Sequence, residues 1–125
     1  MEKDKQQIVI IDDDTRNIFA LAATLKSKGF GYISCTGAHE AIELLQNRQD
    51  IGMVLIDMMM PDLDGYEAIP LIRKITGKEK LPIIAVTAQA MVGDREKCLE
   101  AGADDYISKP IDVDRLMEIV ESYIQ

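Results

Sequence analysis

Three unbroken apolar runs constrain this chain more than anything else in it: Ile8-Val9-Ile10-Ile11, Met53-Val54-Leu55-Ile56 and Ile83-Ile84-Ala85-Val86. An alternating pattern would leave one face of a strand wet, whereas continuous runs read as strands buried on both faces, the pattern of a parallel sheet covered by helices. Each run stops on a polar side chain. The first ends on Asp12-Asp13, the second on Asp57 and the third on Thr87, and a fourth, Tyr106-Ile107-Ser108, ends on Lys109. In such sheets the carboxyl ends of the strands form the ligand crevice. Three carboxylates, a hydroxyl and an ammonium at one edge of one sheet make a candidate site for a cation and a phosphoryl group.

The segments between the runs read as helices with chemical stops. The first runs from about Thr15 to Lys28, with Ile18, Leu21, Ala22 and Leu25 on one face, Asp14 as cap and Gly29 as terminator. A short strand near Tyr32-Ile33-Ser34-Cys35 precedes a helix over about Ala38 to Asn47, with Ala41, Ile42, Leu44 and Leu45 inward. After Asp57 and its loop comes a helix from about Tyr66 to Ile75, closed by Gly77 and carrying Pro70, which removes one hydrogen bond and should distort its first turns. A helix from about Gly93 to Ala101 ends at Gly102, and the last, starting at Asp112, should bury Val113, Leu116, Ile119, Val120 and Tyr123. Five strands alternating with five helices predict a doubly wound α/β domain over residues 1–125, with a polar N-terminal tail of about six residues.

Composition removes several function classes. At 125 residues the chain has room for one covered sheet and no second lobe. No apolar stretch approaches the roughly 18 residues of a membrane span, and the first residues lack an apolar signal core, so a cytoplasmic setting is expected. A net charge of −8 opposes binding to a phosphate backbone, leaving a basic partner surface or a bound cation as the better fit. Cys35 and Cys98 are too few for a disulfide framework and lack zinc spacing, which makes them small core hydrophobes.

The acidic cluster favours a metal. One of Asp12, Asp13 and Asp14 is accounted for as a helix cap, but two further carboxylates at an apolar sheet edge repel each other and Asp57 unless a cation is held there. For a hard divalent ion with few protein ligands and several waters, Mg2+ is the natural choice. Asp57, directly after Met53-Val54-Leu55-Ile56, is a strand-end carboxylate able to act as a nucleophile and form an aspartyl phosphate. Thr87 and Lys109 are individually ordinary; the argument is that four strand ends place complementary phosphate chemistry together.

Asp12-Asp13 after the first strand, Asp57 within Ile56-Asp57-Met58-Met59-Met60-Pro61-Asp62-Leu63-Asp64-Gly65, Thr87-Ala88 and Ser108-Lys109-Pro110 together resemble the receiver domain of bacterial two-component response regulators, over nearly the whole chain. The resemblance implies a CheY-like, flavodoxin-like sheet of order 2-1-3-4-5. It implies that Asp57 is the phosphoacceptor, that Asp13, Asp57 and the backbone carbonyl of Met59 bind Mg2+ with Asp12 acting through water, that Lys109 pairs with the phosphoryl oxygens, and that Thr87 hydrogen-bonds to them. Tyr106 matches the family's switch aromatic, so the face made by the fourth helix, last strand and last helix would report phosphorylation; Met91 and Val92 are either part of that surface or core. The Lys109–Pro110 bond would be cis. Met59 and Gln89 lie where receivers vary and tune dephosphorylation.

The implied partners are a sensor histidine kinase or phosphotransfer protein and an unidentified downstream protein, with no nucleic acid or membrane and a monomer before phosphorylation. A receiver of this kind is a switch that promotes its own phosphorylation and dephosphorylation, not a turnover enzyme. Arg16-Asn17-Ile18-Phe19 looks more like receivers of hybrid kinases. His39, the single histidine, is expected at the surface. Two rivals remain. A small phosphatase of the haloacid dehalogenase type would need Asp-x-Asp-x-Thr or Val, but Arg16 occupies the final position, and its acidic residues would have to lie on a strand after the lysine. An unphosphorylated receiver-like scaffold would not need all five site positions intact.

Overall fold

A computed structural model of the chain describes residues 6–88 and 93–124. The elements alternate throughout: β1 (Gln7–Ile11), α1 (Thr15–Ser27), β2 (Gly31–Cys35), α2 (Ala38–Asn47), β3 (Ile51–Asp57), α3 (Gly65–Arg73), β4 (Ile83–Thr87), α4 (Asp94–Ala101), β5 (Asp105–Ser108) and α5 (Val113–Tyr123). All strand pairs are parallel and the sheet order is β2-β1-β3-β4-β5. The chain steps outward from β1 to β2 and then returns across β1 to β3. Asp12 and Asp57 therefore flank the point where strand order reverses, the usual place for a ligand crevice.

The sheet separates two apolar layers. Val9, Ile11, Val54, Ile56, Ile83 and Ala85 meet α2, α3 and α4 on one side, while Ile8, Ile10, Met53, Leu55, Ile84 and Val86 meet α1 and α5 on the other. Alternation along each strand forces this division. Every residue of β3 and β4 is buried, as the continuous runs predict, whereas the edge strand β2 is mostly exposed. At about 1.5–3 kcal/mol for each fully buried aliphatic side chain, the two layers are what hold the strand ends in fixed relation.

The α1 face is buried at Ile18, Leu21, Ala22 and Leu25, with Asp14 as N-cap accepting from the Arg16 N–H. Cys35 and Cys98 are both buried. The last helix needs correction: Leu116, Ile119 and Val120 are buried, but Val113 is 46% exposed and Tyr123 38%, and Met117 and Ile124 take part in the core instead. Val113 is the first helical residue, where the helix has not yet packed onto the core, and Tyr123 turns its hydroxyl to the Asp104 carbonyl at 3.4 Å. Pro70 is accommodated inside α3, which stops at Arg73 rather than Ile75; the Lys74 and Ile75 amides bond to Leu71 and Ile72 in a tighter closing turn. The Lys109–Pro110 peptide is cis. Gln89, Met91 and Val92 lie outside the described residues.

Candidate functional site

The acidic corner is assembled by backbone contacts that follow directly from the strand order. The Asp12 N–H extends the β1–β2 ladder to the Cys35 carbonyl at 3.1 Å, and the Met58 N–H extends β3–β4 to Val86 at 2.9 Å. Asp12, Asp13 and Asp57 thereby bring one carboxylate oxygen each within 4.8 Å of one another. Asp12 and Asp57 are 2% and 5% exposed, while Asp13 faces solvent. Three hard oxygen donors at this spacing suit a hard divalent cation.

The electrostatics call for one. Burial pushes the Asp12 carboxyl above its usual range and the charge of Asp57 pushes the same way, against the Asp14 N–H, which donates to Oδ1 at 2.8 Å, and the Lys109 ammonium. Lys109 Nζ lies 3.7 Å from Asp12 Oδ2 and 3.4 Å from Asp57 Oδ2. One ammonium thus answers two buried carboxylates. The residual negative charge is what a bound cation would neutralise.

The loop after Asp57 has little freedom. The Met59 N–H returns to Asp57 Oδ1 at 3.0 Å, and the Gly65 N–H bonds the Met58 carbonyl at 3.3 Å. A Cβ at Gly65 would come within 2.9 Å of the Met58 Cα, closer than real Cβ contacts allow, so only glycine permits this approach. The backbone of Met59 is therefore held over the carboxylate, while its side chain is 47% exposed.

Thr87 ends β4 fully buried, and its carbonyl accepts the Lys109 N–H at 2.8 Å. Tyr106 is half-buried against the layer of α3 and α4. It stands opposite Ala85, and Thr87 opposite Ser108, so period-two alternation puts Thr87 and Tyr106 on one face of the sheet with a small alanine between them. Every expected site residue is thus brought to this edge, with Tyr106 one step back from it. Asp112 and Asp114, by contrast, cap and open α5 rather than sitting on a strand, which removes the acidic pair a haloacid dehalogenase would need. His39 is exposed, with Nε2 3.9 Å from Asp62 Oδ2.

Sequence reasoning missed Asp94, Lys78 and Arg73. Asp94 and Lys78 are buried, and Arg73 donates to the Gly102, Glu79 and Leu81 carbonyls and to Asp104 Oδ2. Single charged residues carry no local signal of their tertiary neighbours.

The family model for the response regulator receiver domain matches residues 8–121. The chain belongs to this family. Among receiver relatives, the signal transduction histidine-protein kinase BarA of Escherichia coli strain K12 is 35% identical over 93% of this chain, which spans only 12% of that kinase's length. The polar-differentiation response regulator DivK of Brucella anthropi is 32% identical over 95% of this chain and 96% of its own. The crystal structure of the receiver domain of the sensor histidine kinase PA1611 from Pseudomonas aeruginosa PAO1, with a magnesium ion coordinated in its active site cleft, is 36% identical, covers 95% of this chain and 97% of that one, and superimposes with a TM-score of 0.86. The receiver assignment places this chain in two-component phosphorelay signalling. No helix among the described residues is long and apolar enough to cross a membrane.

Proposed function

We propose that this receiver is a cytoplasmic phosphoacceptor switch in which Asp57 takes a phosphoryl group from the phosphohistidine of a sensor histidine kinase or phosphotransfer protein. The observation that carries the reading is the position of Lys109 Nζ, 3.4 Å from a buried Asp57 that shares a 4.8 Å cluster with two further carboxylates.

In the transfer, an Asp57 carboxylate oxygen forms an O–P bond as the N–P bond to the donor imidazole breaks; the electron pair leaves with the imidazole, which takes up a proton. Phosphoryl transfer asks for alignment and charge neutralisation more than for covalent help. The Met59 N–H donates to Asp57 Oδ1 and limits rotation of that carboxylate, and the Lys109 ammonium, 3.4 Å from Asp57 Oδ2, would pair with phosphoryl oxygens. Mg2+, held by Asp12, Asp13, Asp57 and the Met59 carbonyl, would supply the remaining neutralisation. Attack of water on the resulting acyl phosphate returns the carboxylate and limits the life of the signal.

Thr87 would turn occupancy into movement. A phosphoryl oxygen beside β4 offers its hydroxyl a charge-assisted partner, and a shift of Thr87 toward it opens space over Ala85 into which Tyr106 can turn. The face of α4, β5 and α5 would then present a different surface to a downstream protein. The unphosphorylated chain is read as a monomer.

Incubation with acetyl phosphate and Mg2+ tests this. Intact-mass spectrometry is expected to show one added phosphoryl group, absent in Asp57→Asn and in the presence of chelator. No labelling, or labelling that survives Asp57→Asn, overturns the reading, and steady magnesium-dependent turnover of p-nitrophenyl phosphate would favour a phosphatase.

A further inference from the structure

Between α3 and α4, Asp94 is a charged side chain with an unmet hydrogen bond. It opens α4 directly after Gly93, which adopts a left-handed φ of +89°, and it is 5% exposed. Its Oδ1 accepts the Tyr66 hydroxyl at 3.3 Å. Its Oδ2, shut off from solvent, accepts a hydrogen bond from no described residue. A carboxylate oxygen buried without a donor is costly, and native proteins rarely leave one so. The cation cluster of Asp12, Asp13 and Asp57 does not include it.

Asp94 borders a cleft of about 490 Å³, whose other walls are Met59, Tyr66, Lys97, Glu100 and Ala101. That volume lies in the range of small-ligand sites. Asp94 and Glu100 outnumber Lys97, which favours a cation. The neighbouring donors narrow the class further. Burial pushes both the Tyr66 hydroxyl and the Cys98 thiol above their usual ranges, so both keep their protons; of the two wall carboxylates only Asp94 is buried and Glu100 faces solvent, which leaves too few enclosed anionic ligands for a metal. An N–H donor cation remains. A planar guanidinium matches a carboxylate better than a hydrated ammonium does.

We propose that the α3–α4 cleft is a second binding site that takes a guanidinium group onto Asp94 Oδ2. To reach that oxygen the ligand must displace a wall side chain, and Met59, exposed and unbranched, yields most easily. The backbone of the same residue holds Asp57 Oδ1 at 3.0 Å. Occupancy therefore alters the lifetime of the phosphoryl group, a consequence that rests on the function proposed above; binding itself does not.

The test is a backbone-amide NMR titration of the unphosphorylated protein with methylguanidinium, at constant ionic strength, against tetramethylammonium as a cation without N–H donors. Saturable shifts confined to the cleft are expected with methylguanidinium alone. Asp94→Asn should weaken them about tenfold or more, the worth of one charge-assisted hydrogen bond. Tyr66→Phe, which frees Oδ1 for a two-pronged contact, should strengthen them. An Ala-Arg-Ala peptide binding more tightly assigns the guanidinium to a protein side chain, and the reverse assigns it to a small solute. Unsaturable shifts, equal response to tetramethylammonium, or unchanged binding in Asp94→Asn overturns the proposal. Loss of acetyl phosphate labelling at Asp57, by contrast, would count against the switch and leave the binding result standing.

Discussion

The Lys109 N–H donates to the Thr87 carbonyl at 2.8 Å, next to the last pair of β4 and β5, Thr87 with Ser108. The ammonium proposed to neutralise the phosphoryl group and the hydroxyl proposed to sense it thus share one rigid rung. Neutralisation and sensing, as proposed, would be coupled through backbone rather than through flexible side chains.

Lys109→Ala should slow phosphorylation of Asp57 by acetyl phosphate about a hundredfold, the usual cost of removing one preorganised charge-stabilising donor. Initial rates of the mass increment, taken with saturating Mg2+, check this. An unchanged rate would assign Lys109 a purely structural pairing.

Asp12→Asn should stabilise the metal-free protein while weakening its response to Mg2+. The folded-state affinity of Asp12 for its proton is raised, so its contribution to stability is present below the ordinary carboxyl value and is lost as pH rises through its folded one. Near neutral pH the ionised, buried side chain is a liability that the amide removes. We expect a higher midpoint of thermal unfolding without metal, and a smaller upward shift on adding Mg2+ than in the unaltered protein.

Cys35 sets a limit at alkaline pH. Burial, with help from Glu40, pushes its thiol up to about 11. The stability carried by the protonated thiol is complete below its ordinary value near 9 and declines between about 9 and 11, by on the order of 2 kcal/mol. Denaturant unfolding across that window should fall more steeply for the native protein than for Cys35→Ala, which lacks the titrating group. Parallel slopes would show that the thiol does not contribute.

Arg73 closes the end of the molecule opposite the site. Its guanidinium reaches Gly102 at 3.2 and 2.7 Å, Glu79 at 3.2 Å and Asp104 at 2.8 Å, with Leu81 as a further acceptor. Arg73→Ala should cost about 2–4 kcal/mol of unfolding free energy because several half-buried carbonyls lose their donor together. Arg73→Lys should recover only part of that, since an ammonium cannot span the same fork.

The strand runs and the residues that end them were legible because burial on both faces leaves an unbroken apolar signature and a strand end is where that signature stops. The cap at Asp14 was legible for a similar local reason. Val113 and Tyr123 were misplaced because helical spacing defines a stripe but not where the sheet beneath it ends. The buried positions of Asp94 and Lys78 and the carbonyl fork of Arg73 were invisible because the main partners lie far away in sequence: the Lys78 ammonium, for instance, donates to the Arg48 carbonyl at 2.8 Å. No window of neighbouring residues contains that information.

The division of the interior by the sheet gives the two helices beside β5 unequal parts. Cys98 roots α4, and Ala103 the turn after it, in the same layer as Tyr106, whereas α5 is rooted through Leu116, Ile119 and Val120 in the layer of α1. If the switch proposed above holds, a displacement that begins at Thr87 and passes to Tyr106 would be felt on one side only. Of the two helices, α4 would then be the moving hand and α5 the dial against which a partner would read it.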